Sequence, residues 1–207
     1  MYLVTGSIIS PTYQLIINEF VSKYPNAKHL QYDPISYSGM ILANENSFGK
    51  KAIPSYHFDN VKTVFSLGAD FLGTWLSPSE FNAGFMKTRK VSAKHPVMSK
   101  HYQVEAMMSM TGSNADERAT CKPSEYGKVA TALYNAITTG TKPNLGTDAL
   151  NTLVTKAATD LKNGGLVVSG SNDVNVQIII NAINSAIGAY GNTISWGHTS
   201  NYKQAID

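Results

Sequence analysis

Thr63-Val64-Phe65-Ser66-Leu67-Gly68-Ala69-Asp70 is a short apolar run that stops at a glycine followed by an acid. Val4-Thr5-Gly6-Ser7 and Val168-Ser169-Gly170-Ser171 break in the same way, and a helix signal follows each break within a few residues. A buried strand that ends in a tight, side-chain-poor turn and feeds a helix is the repeating unit of open α/β sheets. Such turns gather at one edge of the sheet, where backbone N–H groups and helix N-termini face an anionic or dinucleotide ligand. The expected fold is α/β and Rossmann-like, a mostly parallel sheet with helices on both faces.

The rest of the chain keeps this alternation. Tyr2 to Thr5 reads as the first strand, and Ser10-Pro11 offers a cap and a first-turn proline to a helix reaching about Tyr24. Its Ile16, Phe20 and Tyr24 stripe should lie on the sheet. His29 to Tyr32 is a strand, Ser36 caps a helix that stops at Gly49, and Lys50 to Asn60 reads as irregular. Ser77-Pro78-Ser79-Glu80 has the form of a capping box, and Phe81 and Phe85 give the helix after it a buried face. Lys100 to Glu105 is a strand, Met107 to Arg118 a polar loop, and Ala119 to Lys122 a short strand. Ser124 caps a helix carrying Val129, Leu133 and Ile137, and the linker Thr138 to Gly146 leads to another with Leu150, Val154, Ala157 and Leu161 in register. Leu166 to Ser169 reads as the last strand, and Val176, Ile179, Ile180, Ile183 and Ile187 line the final helix.

The 207 residues are long enough for one large domain, and residues 1–207 are read as such. Hydrophobic residues make up 43% and charged residues only 15%, which suits a surface partly covered by partners. The net charge of +3 is modest, and the Lys87 to Lys94 run reads as the end of a helix and its loop, so no nucleic-acid partner is expected. Cys121 is the single cysteine, which excludes an internal disulfide and any zinc or iron-sulfur site built from several of these thiolates. No stretch approaches the roughly 18 consecutive apolar residues of a membrane span. Both ends read as abrupt, as in a piece of a longer protein.

Familiar catalytic motifs are missing. Gly6 followed by Ser7-Ile8-Ile9-Ser10 fails the G-x-G-x-x-G spacing, and Gly49-Lys50-Lys51 lacks the upstream glycine and the hydroxyl of a phosphate-binding loop. H-E-x-x-H, C-x-x-C and G-x-S-x-G do not occur. His29, His57, His95, His101 and His198 stand at no metal-binding spacing and read as surface or capping residues. Asp116 and Glu117 are expected to be solvated or capping, Cys121 to be a buried inert thiol, and Met107, Met108 and Met110 to be core or interface.

The stretch from Val104-Glu105-Ala106-Met107-Met108 through Thr111-Gly112-Ser113-Asn114 to Lys122-Pro123-Ser124-Glu125 resembles the molybdopterin oxidoreductase family. Thr63 to Thr74 resembles that family's preceding strand and glycine turn, and Asp160 to Thr193 its last unit. Tyr32-Asp33-Pro34-Ile35-Ser36-Tyr37-Ser38, Ile53-Pro54-Ser55-Tyr56-His57-Phe58-Asp59 and Ala69-Asp70-Phe71-Leu72-Gly73-Thr74-Trp75 are similar, more narrowly, to the large iron-sulfur subunit of alternative complex III, a bacterial quinol to cytochrome c oxidoreductase.

The resemblance implies a non-catalytic structural domain of a respiratory electron-transfer complex, with no cofactor in this fragment and iron-sulfur clusters in the missing part of the chain. Its implied partners are that iron-sulfur region and other subunits, at the periplasmic face of the cytoplasmic membrane, with no membrane span of its own. Gly6, Ser7, Gly68, Asp70, Gly112, Asn114, Glu125 and Gly170 would be vestigial cofactor-binding residues, and no catalytic or metal residue is expected. Ser36 and Ser38 stand where the family ligates molybdenum and read instead as helix caps. The alternative is one domain of a genuine oxidoreductase dependent on molybdopterin guanine dinucleotide, with Glu125 reading the guanine. A third reading is a nucleotide-binding module akin to the middle domain of thiamine-diphosphate enzymes. Closure of the sheet's carboxyl edge by Trp75, Tyr56 and Phe58 would favour the silent domain.

Overall fold

A computed structural model describes residues 1–93 and 96–200. The elements run β1 (Tyr2–Thr5), α1 (Pro11–Lys23), β2 (Lys28–Gln31), α2 (Ser38–Phe48), β3 (Ile53–Tyr56), β4 (Thr63–Leu67), α3 (Pro78–Arg89), β5 (Lys100–Glu105), α4 (Met110–Ser113), β6 (Glu117–Thr120), α5 (Tyr126–Thr138), α6 (Asp148–Asp160), β7 (Gly165–Ser169), α7 (Val174–Ala186) and β8 (Ile194–Ser200). His95 and Lys94, which ends the basic run, lie outside the described residues.

The central sheet has the order β6-β5-β4-β7, and all its pairings are parallel. Period-two alternation sorts its side chains onto two faces. Phe65, Leu67, Tyr102, Val104 and Val167 pack with α5, α6 and α7, while Val64, Leu166 and Val168 pack with α2, α3 and the aromatic rings of the β3 region. Helices on both faces of a parallel sheet make the fold α/β and Rossmann-like, as the glycine corners imply. On the second face Phe58 stacks on Phe71 at 4.5 Å between ring centroids, with Tyr56 5.2 Å from Trp75 and Trp75 5.6 Å from Phe81. Tyr56, Phe58 and Trp75 thus belong to a core layer between sheet and helix.

Among the described residues no strand lies beside the outer edge of β7. The Asn184 side chain takes that place: its Oδ1 accepts from Val167 N at 3.0 Å and its Nδ2 donates to Val167 O at 2.8 Å. Thr193 Oγ1 donates to Gly165 O and Gln177 Nε2 to Ser169 O, so helix-borne side chains satisfy the edge backbone.

Several expectations need correcting. The β1–β2 pair is parallel but forms its own two-stranded sheet, apart from the central one. Helix α1 begins at Pro11 with Ser10 as its cap, yet it leaves Ile16 and Tyr24 exposed and buries Ile17. The packed face of α1 instead runs through Ile17, with Phe20 half-buried. Within the supposedly irregular Lys50 to Asn60, Ile53–Tyr56 pairs antiparallel with β8, so Leu166 to Ser169 is not the last strand. Pro54 sits at a register shift in that pair, where the missing N–H is tolerated. Ser77 makes no side-chain cap, although proline still opens α3 and Phe81 and Phe85 are buried. Ser124 lies inside a short 3-10 turn, Pro123–Glu125, and does not cap α5.

Candidate functional site

The carboxyl ends of β4, β5 and β7 form a crest, and the chain's own atoms fill it. Gly68 has φ +67°, a conformation that a side chain would strain, and a Cβ there would meet the Tyr126 hydroxyl at 2.5 Å. A Cβ on Gly170 would run into the Gly68 carbonyl, so these two corners touch backbone to backbone. Asp70 points from the β4 turn to the start of α4: Oδ1 accepts from Thr111 N at 3.0 Å and from Thr111 Oγ1 at 2.7 Å. The same Thr111 oxygen accepts from Leu72 N at 2.9 Å.

Beneath the crest, β5 turns three polar side chains into the interior. His101, Gln103 and Glu105 alternate with Tyr102 and Val104, and all three are buried. His101 Nε2 lies 3.2 Å from Gln103 Oε1, and Gln103 Nε2 donates to Glu105 Oε2 at 2.8 Å. Glu105 also accepts from Ser109 Oγ at 2.6 Å and from Arg118 Nε at 2.7 Å. Burial opposes its ionisation, but these donors outweigh burial and hold the carboxyl below its ordinary range. Gly112 is required here, since a Cβ on it would overlap Glu105 Oε1.

At the other end of the ladder Arg89 makes a two-pronged contact with Asp116 at 2.6 and 2.8 Å, and Asp116 also accepts from His101 N at 2.7 Å. Burial again works against the Asp116 charge, and Arg89 overcomes it. The His101 imidazole is buried, and burial pulls it down to about 4. The expected solvated pair is therefore tied down: Asp116 by Arg89, and Glu117 by Lys100 and Lys156. Burial, with Glu125 nearby, pushes the Cys121 thiol up, which makes it a poor nucleophile.

Of the residues singled out from sequence, Gly68, Asp70, Gly112 and Gly170 meet at this crest. Gly6 and Ser7 do not, because Ser7 N and Oγ both donate to Asp33 within the separate β1–β2 unit. Asn114 turns away, donating from Nδ2 to Met110 O at the end of α4. Glu125 lies beyond β6 beside Cys121. Thr111 and Tyr126 pack against Asp70 and Gly68 at the crest, while Trp75 and Phe58, with Tyr56 against them, join the core cluster that also holds Ala69 and Phe71 of the β4 turn. Met107, Met108 and Met110 are exposed, which removes the core reading for them. The ladder escaped sequence reading because a strand alternating polar with apolar residues has the same pattern as one with a solvent-facing side. Among the described residues no three His, Cys, Asp or Glu side chains are grouped to hold a metal ion. Chemically, Asp70 and Thr111 at the crest are engaged with each other and with backbone N–H groups.

No family model matches the sequence, and no curated protein matches it either. Among solved structures, a chain of the formyltransferase/hydrolase complex (FhcABCD) from Methylorubrum extorquens, in complex with methylofuran, shares the fold at a TM-score of 0.53 and 10% identity. The match covers 94% of this chain and 51% of that one, so this chain spans about half of its neighbour's length. The resemblance to molybdopterin oxidoreductases, to alternative complex III and to electron transport is thereby corrected: no family model carries it, and the structural neighbour belongs to a formyltransferase/hydrolase complex. The phrases that suggested the resemblance have local causes, since Asp33 holds the Ser7 turn and Asp70 holds Thr111. The neighbour is part of a multi-subunit complex, and no helix among the described residues is long and apolar enough to cross a membrane. What this chain is similar to, at the level of fold, is one part of such an assembly.

Proposed function

We propose that this chain is an assembly domain of a multi-subunit enzyme complex, joined to a partner subunit through the bare face of the β1–β2 pair. That face carries the reading. Parallel sheets are almost always covered on both faces, because their strands are apolar on both. Here Tyr2, Val4 and Leu30 line one side of the pair and are 65%, 62% and 49% exposed. Helix α1 separately exposes Tyr13, Leu15 and Ile16. Apolar side chains left this bare on a parallel pair mark a contact with another chain. The satisfied crest agrees with a role in packing, and the multi-subunit setting of the structural neighbour supports an enzyme complex as the context.

Native mass spectrometry of the protein isolated from its own cells tests this reading. The wild type should travel in a hetero-assembly, and Val4→Glu combined with Leu30→Glu should release it as a free chain with an unchanged circular dichroism spectrum. A wild type found alone, or a variant that stays in the assembly, contradicts the proposal.

A further inference from the structure

Three depressions that share lining residues follow one another as a trench beside α5. One of about 360 Å³ lies at the carboxyl ends of β5 and β6, bounded by Ala106, Thr120 and Lys122. It shares Cys121 and Glu125 with a second, of about 200 Å³. The second shares Lys128, Asn144 and Leu145 with a third of about 520 Å³, which lies between α5 and the linker at 141–145 and includes Lys142.

Charge along this trench is one-sided. Lys122, Lys128 and Lys142 are exposed, and among the described residues none of them makes an ion pair. Glu125 is the one carboxylate on the lining. Between the lysines the walls are aliphatic, with Pro123, Pro143 and Leu145. No aromatic ring and no arginine lines any of the three depressions, so the stacking platforms and planar forks that hold single-stranded nucleic acid are absent from this lining.

We propose that the trench takes an extended acidic peptide segment of a partner chain, its carboxylates meeting Lys122, Lys128 and Lys142 and its apolar side chains lying on the aliphatic walls. Long, hydrated lysine ammonium groups suit flexible carboxylates spaced along a strand, and such contacts weaken with salt. The surface is separate from the β1–β2 face, so its failure would leave the assembly reading standing, and the reverse holds too.

Fluorescence anisotropy with a labelled ten-residue peptide alternating glutamate and valine reads the interaction. The full chain should bind it saturably, and Lys122→Gln, Lys128→Gln and Lys142→Gln together should weaken binding about tenfold or more. Lys23→Gln, Lys51→Gln and Lys90→Gln together, which remove the same charge from exposed sites elsewhere, should change it less than about twofold. An equal loss in both triple variants, no saturable binding, or tighter binding of a labelled single-stranded oligonucleotide through the same three lysines would overturn the proposal.

Discussion

Thr111 Oγ1 sits 2.7 Å from Asp70 Oδ1 and 2.9 Å from Leu72 N, donating to the carboxylate and accepting from the backbone with one hydroxyl. The group is fully buried, and it ties the β4 turn to the start of α4. Replacing Thr111 by Val keeps the shape but strands the Leu72 N–H and removes a donor from a charged acid, at a cost of about 2–3 kcal/mol. Thr111→Ser restores both bonds and should recover most of that loss. Urea denaturation of the two variants gives the comparison, and equal midpoints would show that the hydroxyl does not bind the crest together.

Asn184 stands in for a missing strand, pairing with both polar groups of Val167. Asn184→Leu leaves a buried N–H and a buried C=O unpaired, so a loss of about 3 kcal/mol is expected. Asn184→Asp keeps only an acceptor and should also destabilise, because its carboxylate faces the Val167 carbonyl. Amide exchange at Val167 is the direct readout, and it should accelerate in both variants; unchanged protection would contradict this account of the edge.

His101 links stability to pH. Burial is the main cause of its depressed pKa, about 4 against 6.5 unperturbed, with Arg89 adding to the effect and Gln103 and Asp116 opposing it. The unfolded chain therefore takes up this proton first as pH falls. The His101 contribution is complete above about pH 6.5 and declines toward pH 4, a loss on the order of 3 kcal/mol. Glu105 and Asp116, held below the ordinary carboxylate range, act at lower pH. Stability measured from pH 7 to pH 4 should slope downward in the wild type and flatten in His101→Gln. The same slope in both proteins would remove His101 as the cause.

How far the sequence carried depended on the range of the forces involved. β4, β5 and β7 were legible because alternation and a glycine corner are local, and both Gly68 and Gly170 stand where backbones nearly touch. β3 and β8 were not, since Ile53-Pro54-Ser55-Tyr56 carries a proline and β8 carries Gly197 between Trp196 and His198, and their pairing joins distant segments. Asp70 and Gly112 were found through their turns, but their partners, Thr111 and Glu105, come from another strand's loop and strand end. The His101-Gln103-Glu105 ladder hid behind a pattern that also fits a solvated face. The β1–β2 unit was placed in the central sheet by analogy of its corner, where only pairing geometry could separate it.

The assembly reading is tested most directly by hydroxyl-radical footprinting of the protein in its native assembly and as the free chain. Tyr2 and Leu30 on the bare face should be protected about tenfold in the assembly, while Met86 on α3, 56% exposed, serves as the internal reference. Equal labelling of Tyr2 and Leu30 in both states would mean that no partner covers that face, and the proposed role would fail.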